Sequence, residues 1–107
     1  MEILFSKKMY SSDNLSEKKI VSIKKKIRKW SPKLNLFLIT LPIGNQGILE
    51  IYWYPELLQS FYREMDETVM VVGMSKSRDK AFELIEQIVK DIGVQDGGIP
   101  VNDFFKE

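Results

Sequence analysis

The sequence predicts an α+β fold, on three observations: two stretches with helical spacing of apolar residues, at least four shorter stretches rich in β-branched and aromatic residues, and the alternation β-α-β-β-β-α along 107 residues. The length corresponds to a single domain over residues 1–107, and 44% hydrophobic content suffices for one core.

Glu2–Phe5 reads as a short first strand. Asn14 then stands as a helix cap, with Glu17 three residues later completing a capping box. From Leu15 to Trp30, the residues Ile20, Ile23, Ile27 and Trp30 fall at i, i+3, i+7 and i+10 on one helical stripe. Lys18, Lys25 and Lys29 lie opposite that stripe, and Lys19, Lys24, Lys26 and Arg28 flank it. Ser31-Pro32 should end the helix, since the residue before proline disfavours the helical region.

Leu34–Leu41 is apolar on both alternating faces, the pattern of a central strand covered on both sides. A loop over Pro42–Gly47 leads to a second strand, Ile48–Tyr54, in an antiparallel hairpin. Leu49, Ile51 and Trp53 share one face of that strand; Glu50, Tyr52 and Tyr54 share the other. Residues 55–67 read as a short helix opened by Pro55 or as an irregular connection laying Leu58, Phe61 and Tyr62 on the sheet. Thr68–Met74 is another strand apolar on both faces. The second helix follows, capped by Ser75 or Ser77, with Phe82, Ile85, Val89 and Ile92 as its buried stripe and Ala81, Leu84 and Ile88 alongside. Gly93 is placed to end it in the left-handed conformation. Ile99-Pro100-Val101 and Phe104-Phe105 should fold back onto the body.

The expected architecture is a two-layer sandwich, a largely antiparallel sheet of at least four strands with two amphipathic helices on one face. The alternative is a ferredoxin-like fold in which the C-terminal segment supplies a last strand. Two helices on one face would leave the other face bare, yet two strands are apolar on both. A homodimer through that bare face is therefore expected, with Tyr52, Tyr54, Phe61 and Tyr62 at the interface. The competing expectation is that residues 55–67 and the C-terminal segment cover it within one chain.

The chain has no histidine and no cysteine. That excludes His-containing triads, two-His metal sites, thiolate chemistry, disulfides and cysteine-held clusters. Asp91, Asp96 and Asp103 lack calcium-loop spacing, so neither metal nor cofactor is expected. No catalytic motif is present, and the expectation is a protein that is not an enzyme. The longest near-apolar stretch, Leu34–Ile43, is too short to cross a bilayer, and Ser6-Lys7-Lys8 interrupts the first apolar residues. A cytoplasmic setting without membrane attachment is expected.

Charge is divided unevenly along the chain. Residues 1–33 hold ten Lys/Arg against three Asp/Glu, net +7, and residues 34–107 hold six against twelve, net −6. The helix over 15–30 is thus a candidate surface for a polyanion or a partner, with Lys18, Lys19, Lys25, Lys26, Arg28 and Lys29 as its contacts. Lysine outnumbers arginine thirteen to three, which matches a solvated face better than bidentate phosphate reading. Ser75, Lys76, Ser77 and Arg78, between a strand and a helix start, form a second, weaker anion candidate. The reading overall is macromolecular binding, with a second copy and another protein as partners. Nucleic-acid binding through the basic helix is the alternative, and small-molecule or anion binding is third.

Overall fold

The computed structural model describes residues 1–12, 15–42, 49–94 and 104–105. In chain order the elements are β1 (Glu2–Ser11), α1 (Glu17–Arg28), β2 (Phe37–Thr40), β3 (Glu50–Trp53), a 3-10 turn (Tyr54–Leu58), the single-turn α2 (Ser60–Arg63), β4 (Thr68–Ser75) and α3 (Arg78–Val94). The α+β class and the order of strands and long helices are as expected. The strands form one mixed sheet in the order β1-β4-β2-β3, with β4 parallel to β1 and antiparallel to β2, and β2 antiparallel to β3. The ferredoxin-like alternative turns on a strand within residues 99–105, of which 99–103 lie outside the described residues.

The helices do not share a face. Along β2, Leu38 packs with Ile23 and Ile27 of α1, while its neighbours Phe37 and Ile39 pack with Ala81 and Ile88 of α3. Because strand side chains alternate, α1 and α3 lie against opposite faces, and the expected two-layer arrangement is corrected to three layers, helix, sheet and helix. The physical reason lies in β2 and β4, whose buried residues on both faces need cover on both. The 3-10 turn and α2 extend the cover on the α1 side, where Tyr54 and Leu57 are buried and Leu58 and Tyr62 pack against the same core. Phe104 and Phe105 extend it on the α3 side. The bare face that motivated a face-to-face dimer therefore does not exist.

Both faces are served by an irregularity in β4. Val71 pairs with Phe5 and Thr40, and Gly73 with Tyr10 and Ile39, so Val72 is an extra residue against β2. Val71 and Met74 consequently join the α1 core while Val72 joins the α3 core. A Cβ at Gly73 would lie 3.1 Å from Ile39 Cδ1 and 3.5 Å from the Tyr10 carbonyl oxygen, so the close approach of the strands favours glycine there. Opposite, β1 loops out between Phe5 and Tyr10, where the buried Ser6 Oγ accepts the Lys8 N–H at 3.1 Å.

The cap of α1 is Ser16, whose Oγ accepts the Lys19 N–H at 3.3 Å; the capping box expected from Asn14 is replaced by this later start, and Asn14 itself lies outside the described residues. The helix stops before Pro32 acts. Trp30 takes a left-handed φ of 54° and donates its N–H to the Ile27 carbonyl at 3.0 Å, and Ser31 donates to the Lys26 carbonyl at 2.9 Å. These two bonds make a Schellman closure with tryptophan where glycine usually stands. The ring is retained by packing against the α1 core and by the Arg63 guanidinium, 5.2 Å from its centroid.

Ser77 caps α3, accepting the Lys80 N–H at 3.1 Å. The buried stripe of α3 is centred on Ala81 and Ile88, with Leu84, Ile85 and Ile92 half-buried, whereas Phe82 and Val89 are 48% and 47% exposed. The expected stripe was displaced by one position, since apolar residues spread wider than one helical face and the small Ala81 permits the closest approach to the sheet. Gly93 continues the helix without a left-handed φ. Asp91 ties α3 to β1: it accepts from the Tyr10 hydroxyl at one oxygen and from Gln87 Nε2, at 2.7 Å, at the other. Burial, then this carboxylate, pushes the Tyr10 phenol up to about 12.

Three outcomes follow from these contacts. Trp30→Gly and Trp30→Ala both lose the ring, but only alanine keeps the left-handed strain, so the glycine variant should be the more stable by about 1 kcal/mol in urea denaturation. Thr40 is fully buried and its Oγ1 has no hydrogen-bond partner among the described residues. Thr40→Val should accordingly raise stability by about 1 kcal/mol, and a loss would show that the hydroxyl is satisfied. The folded state holds the Tyr10 proton more tightly than the unfolded chain, so its contribution is intact below pH 10 and declines as pH rises from 10 to about 12. The stability gap between wild type and Tyr10→Phe should shrink over that interval in denaturation titrations.

Candidate functional site

The cations of α1 separate into three groups once the helix is seated on the sheet. Lys24 and Arg28 turn towards β1, with Nζ 5.4 Å and Cζ 5.3 Å from the Phe5 ring centroid. Lys18, Lys25 and Lys29 are exposed on the outer side. Lys19 and Lys26 line a cleft of about 210 Å³ together with Ser22, Asn35 and Lys76 over apolar Leu15, Ile23, Leu34 and Leu36. Positions 19, 22 and 26 are spaced i, i+3 and i+7, one stripe of the helix. Among the described residues, no carboxylate lies within ion-pair distance of Lys18, Lys25, Lys26, Lys29 or Lys76.

Lys76 is the link between the two anion candidates of the sequence. The four residues Ser75–Arg78 do not converge on one point. The Ser75 hydroxyl donates to the Ser77 carbonyl at 2.8 Å and accepts the Ser77 N–H at 3.2 Å, and the Ser77 hydroxyl is engaged as the cap of α3. Lys76 reaches the cleft beside α1, while Arg78 lies over the Phe82 ring, 5.7 Å from its centroid, beside α3.

The four aromatic residues expected at an interface are distributed unequally. Tyr54 is fully buried, and its hydroxyl donates to the Ser31 carbonyl at 2.7 Å. Tyr52 is half-buried, edge-on to Tyr62 at 5.8 Å, and donates to Glu50 Oε2 at 2.9 Å. Burial, reinforced by that carboxylate, holds its phenol well above the usual range. Tyr62 is half-buried, and Phe61, edge-on to it at 5.2 Å, is 71% exposed. Tyr52, Tyr54 and Tyr62 thus cover the α1 side of their own sheet, and only Phe61 is turned to solvent.

A site missed in the sequence lies on the other face. Phe37, Leu49, Ile51 and Trp53 of the hairpin meet Phe82, Ile85 and Arg78 of α3, with Glu56 at the rim, around a groove of about 400 Å³. Trp53 and Phe82 are 47% and 48% exposed there. Phe82 was expected in the buried stripe of α3, and the available signal was that α3 carries more apolar residues than one stripe can bury.

This groove runs beside the outer edge of β3, with which no other described strand pairs. The Tyr54 N–H donates to the Leu36 carbonyl at 2.7 Å, which sets the hydrogen-bonding alternation of the hairpin register. Tyr52 and Glu50 pair inwards with Leu38 and Thr40, and Ile51 and Trp53 turn their N–H and C=O groups outwards. The opposite edge, β1, carries Lys7 and Lys8 within its looped-out segment, the usual protection against strand addition. β3 carries no lysine, and its one charged residue, Glu50, is engaged by the Tyr52 hydroxyl at 2.9 Å.

Among the described residues there is no cluster of three potential metal ligands of the His, Cys, Asp or Glu type, and no helix long and apolar enough to cross a membrane. The chain matches no family model, no curated protein and no solved structure.

Proposed function

We propose that this chain is a non-catalytic protein-binding module whose partner is a second copy of itself, added along β3. The observation that carries the reading is one coincidence: the residues with outward-facing backbone groups, Ile51 and Trp53, are also residues of the groove between β3 and α3. An antiparallel two-fold pairing centred on Tyr52 would set Ile51 opposite Trp53 of the second copy and exchange both backbone bonds at each of the two positions. It would also lay the half-exposed Trp53 and Phe82 in a shared apolar seam. The outward-facing backbone groups of Ile51 and Trp53 support this contact, since such groups on an edge strand are a template for pairing.

The proposed dimer differs from a face-to-face one in using the sheet edge. Its surface leaves α1 free. The absence of histidine and cysteine supports a non-catalytic role, and a cysteine-free chain is consistent with the cytoplasmic setting.

Light scattering at micromolar concentration should return twice the chain mass of 12.5 kDa. Trp53→Lys and Phe82→Lys should each return 12.5 kDa with an unchanged far-ultraviolet spectrum, because both side chains are about half exposed. Lys25→Glu, on the outer side of α1, should leave the mass doubled. A wild-type mass of 12.5 kDa would reject the second copy as partner.

A further inference from the structure

We infer that the cleft between α1, the segment 34–36 and the turn joining β4 to α3 binds a phosphate group carried on an apolar ring system, the chemistry of a nucleotide, free or within a single strand. The inference does not require the dimer along β3, and the two surfaces share only the hydrogen bond from the Trp53 indole to Asn35. Lys19 and Lys26 from α1 and Lys76 from the turn line one concavity, and among its described lining residues there is no carboxylate. Surfaces ordinarily intersperse the two signs, and like charges gathered around a low-dielectric hollow focus the field on an incoming anion.

Two further features favour a ligand over a merely solvated face. Asn35 lines the cleft, and its Oδ1 accepts the Trp53 indole N–H at 2.9 Å, which orients the amide and leaves its NH₂ group as a donor. Ser22 adds a hydroxyl between Lys19 and Lys26 on the same helical stripe. Beneath these donors the floor is apolar, formed by Leu15, Ile23, Leu34 and Leu36. A bare inorganic anion uses only the rim, whereas a ring attached to the phosphate also covers the floor. At about 210 Å³ the cleft is smaller than an ordinary ligand pocket, so it takes a ring alone, with the phosphate left at the rim, and no folded partner.

The test is a titration of isotope-labelled protein at low ionic strength with inorganic phosphate, adenosine monophosphate and a short thymidine oligonucleotide. The amide resonances of Ser22, Asn35 and Lys76 should move with the monophosphate, the oligonucleotide or both, and further than with phosphate. Equal affinity for the two would identify a free nucleotide as ligand; tighter oligonucleotide binding at the same amides would identify a strand. The exposed pair Lys26→Glu and Lys76→Glu should weaken binding by about tenfold or more, as expected for two charge-assisted contacts. The outer pair Lys18→Glu and Lys29→Glu, with the same change in net charge, should alter it by no more than about twofold. No movement of those amides with any probe would overturn the inference. Equal losses from the two variant pairs would also overturn it, by assigning the attraction to the overall charge of α1.

Discussion

The structure depends on a pair of adjacent strands, β2 and β4, that are apolar on both faces. Such strands cannot border solvent on either side without a loss of about 1.5–3 kcal/mol for each large side chain left uncovered. A single chain with two amphipathic helices meets this demand by placing one helix on each face. The division between cores follows: Leu38, Val71 and Met74 belong with α1, and Ile39 and Val72 with α3. The extra residue at Val72 makes that division compatible with pairing to β1 and β2 on either side of β4, and Gly73 lets Ile39 and the Tyr10 backbone approach at the same level.

Charge and edge properties are consequences of that seating. With α1 seated on the face opposite α3, its cations are distributed by direction into those over Phe5, those facing solvent and those at the cleft. Lys76 joins the last group because the turn after β4 crosses the end of the sheet, sending Lys76 to one side and Arg78 to the other. With the hairpin at the sheet border, β3 is an edge whose outward-facing residues meet the groove on the α3 side. The two surfaces are joined by one hydrogen bond, from the Trp53 indole to Asn35, so a group at the edge of one helps orient a donor in the other.

Much of the fold was legible because local signals are short-ranged. The helical periods of α1 and α3, the apolar runs of β2 and β4 and the serine cap of α3 are all set by neighbours within a few residues. Errors arose where two local signals competed or where the controlling contact was remote. Asn14 and Ser16 both resemble caps, and the helix uses Ser16. Phe82 and Ala81 begin overlapping stripes, and the sheet selects the smaller residue. Trp30 closes α1 in a conformation its type disfavours, held by Arg63 from beyond β3. The candidate sites were legible by half: the lysines of α1 and Lys76 were recognised separately, and nothing in their spacing indicates that 50 residues of chain bring Lys26 and Lys76 to one cleft.

By itself, the sequence determined the α+β class, the element order, the exclusion of histidine and cysteine chemistry and the positive character of α1, because these rest on residue identity and on contacts within one or two turns. Only the tertiary structure decided which face each helix covers, which aromatic residues remain exposed and which cations share a hollow. Those outcomes depend on strand order, on the register change around Val72 and on the direction of each crossover, all of which are settled by contacts between residues far apart in the chain.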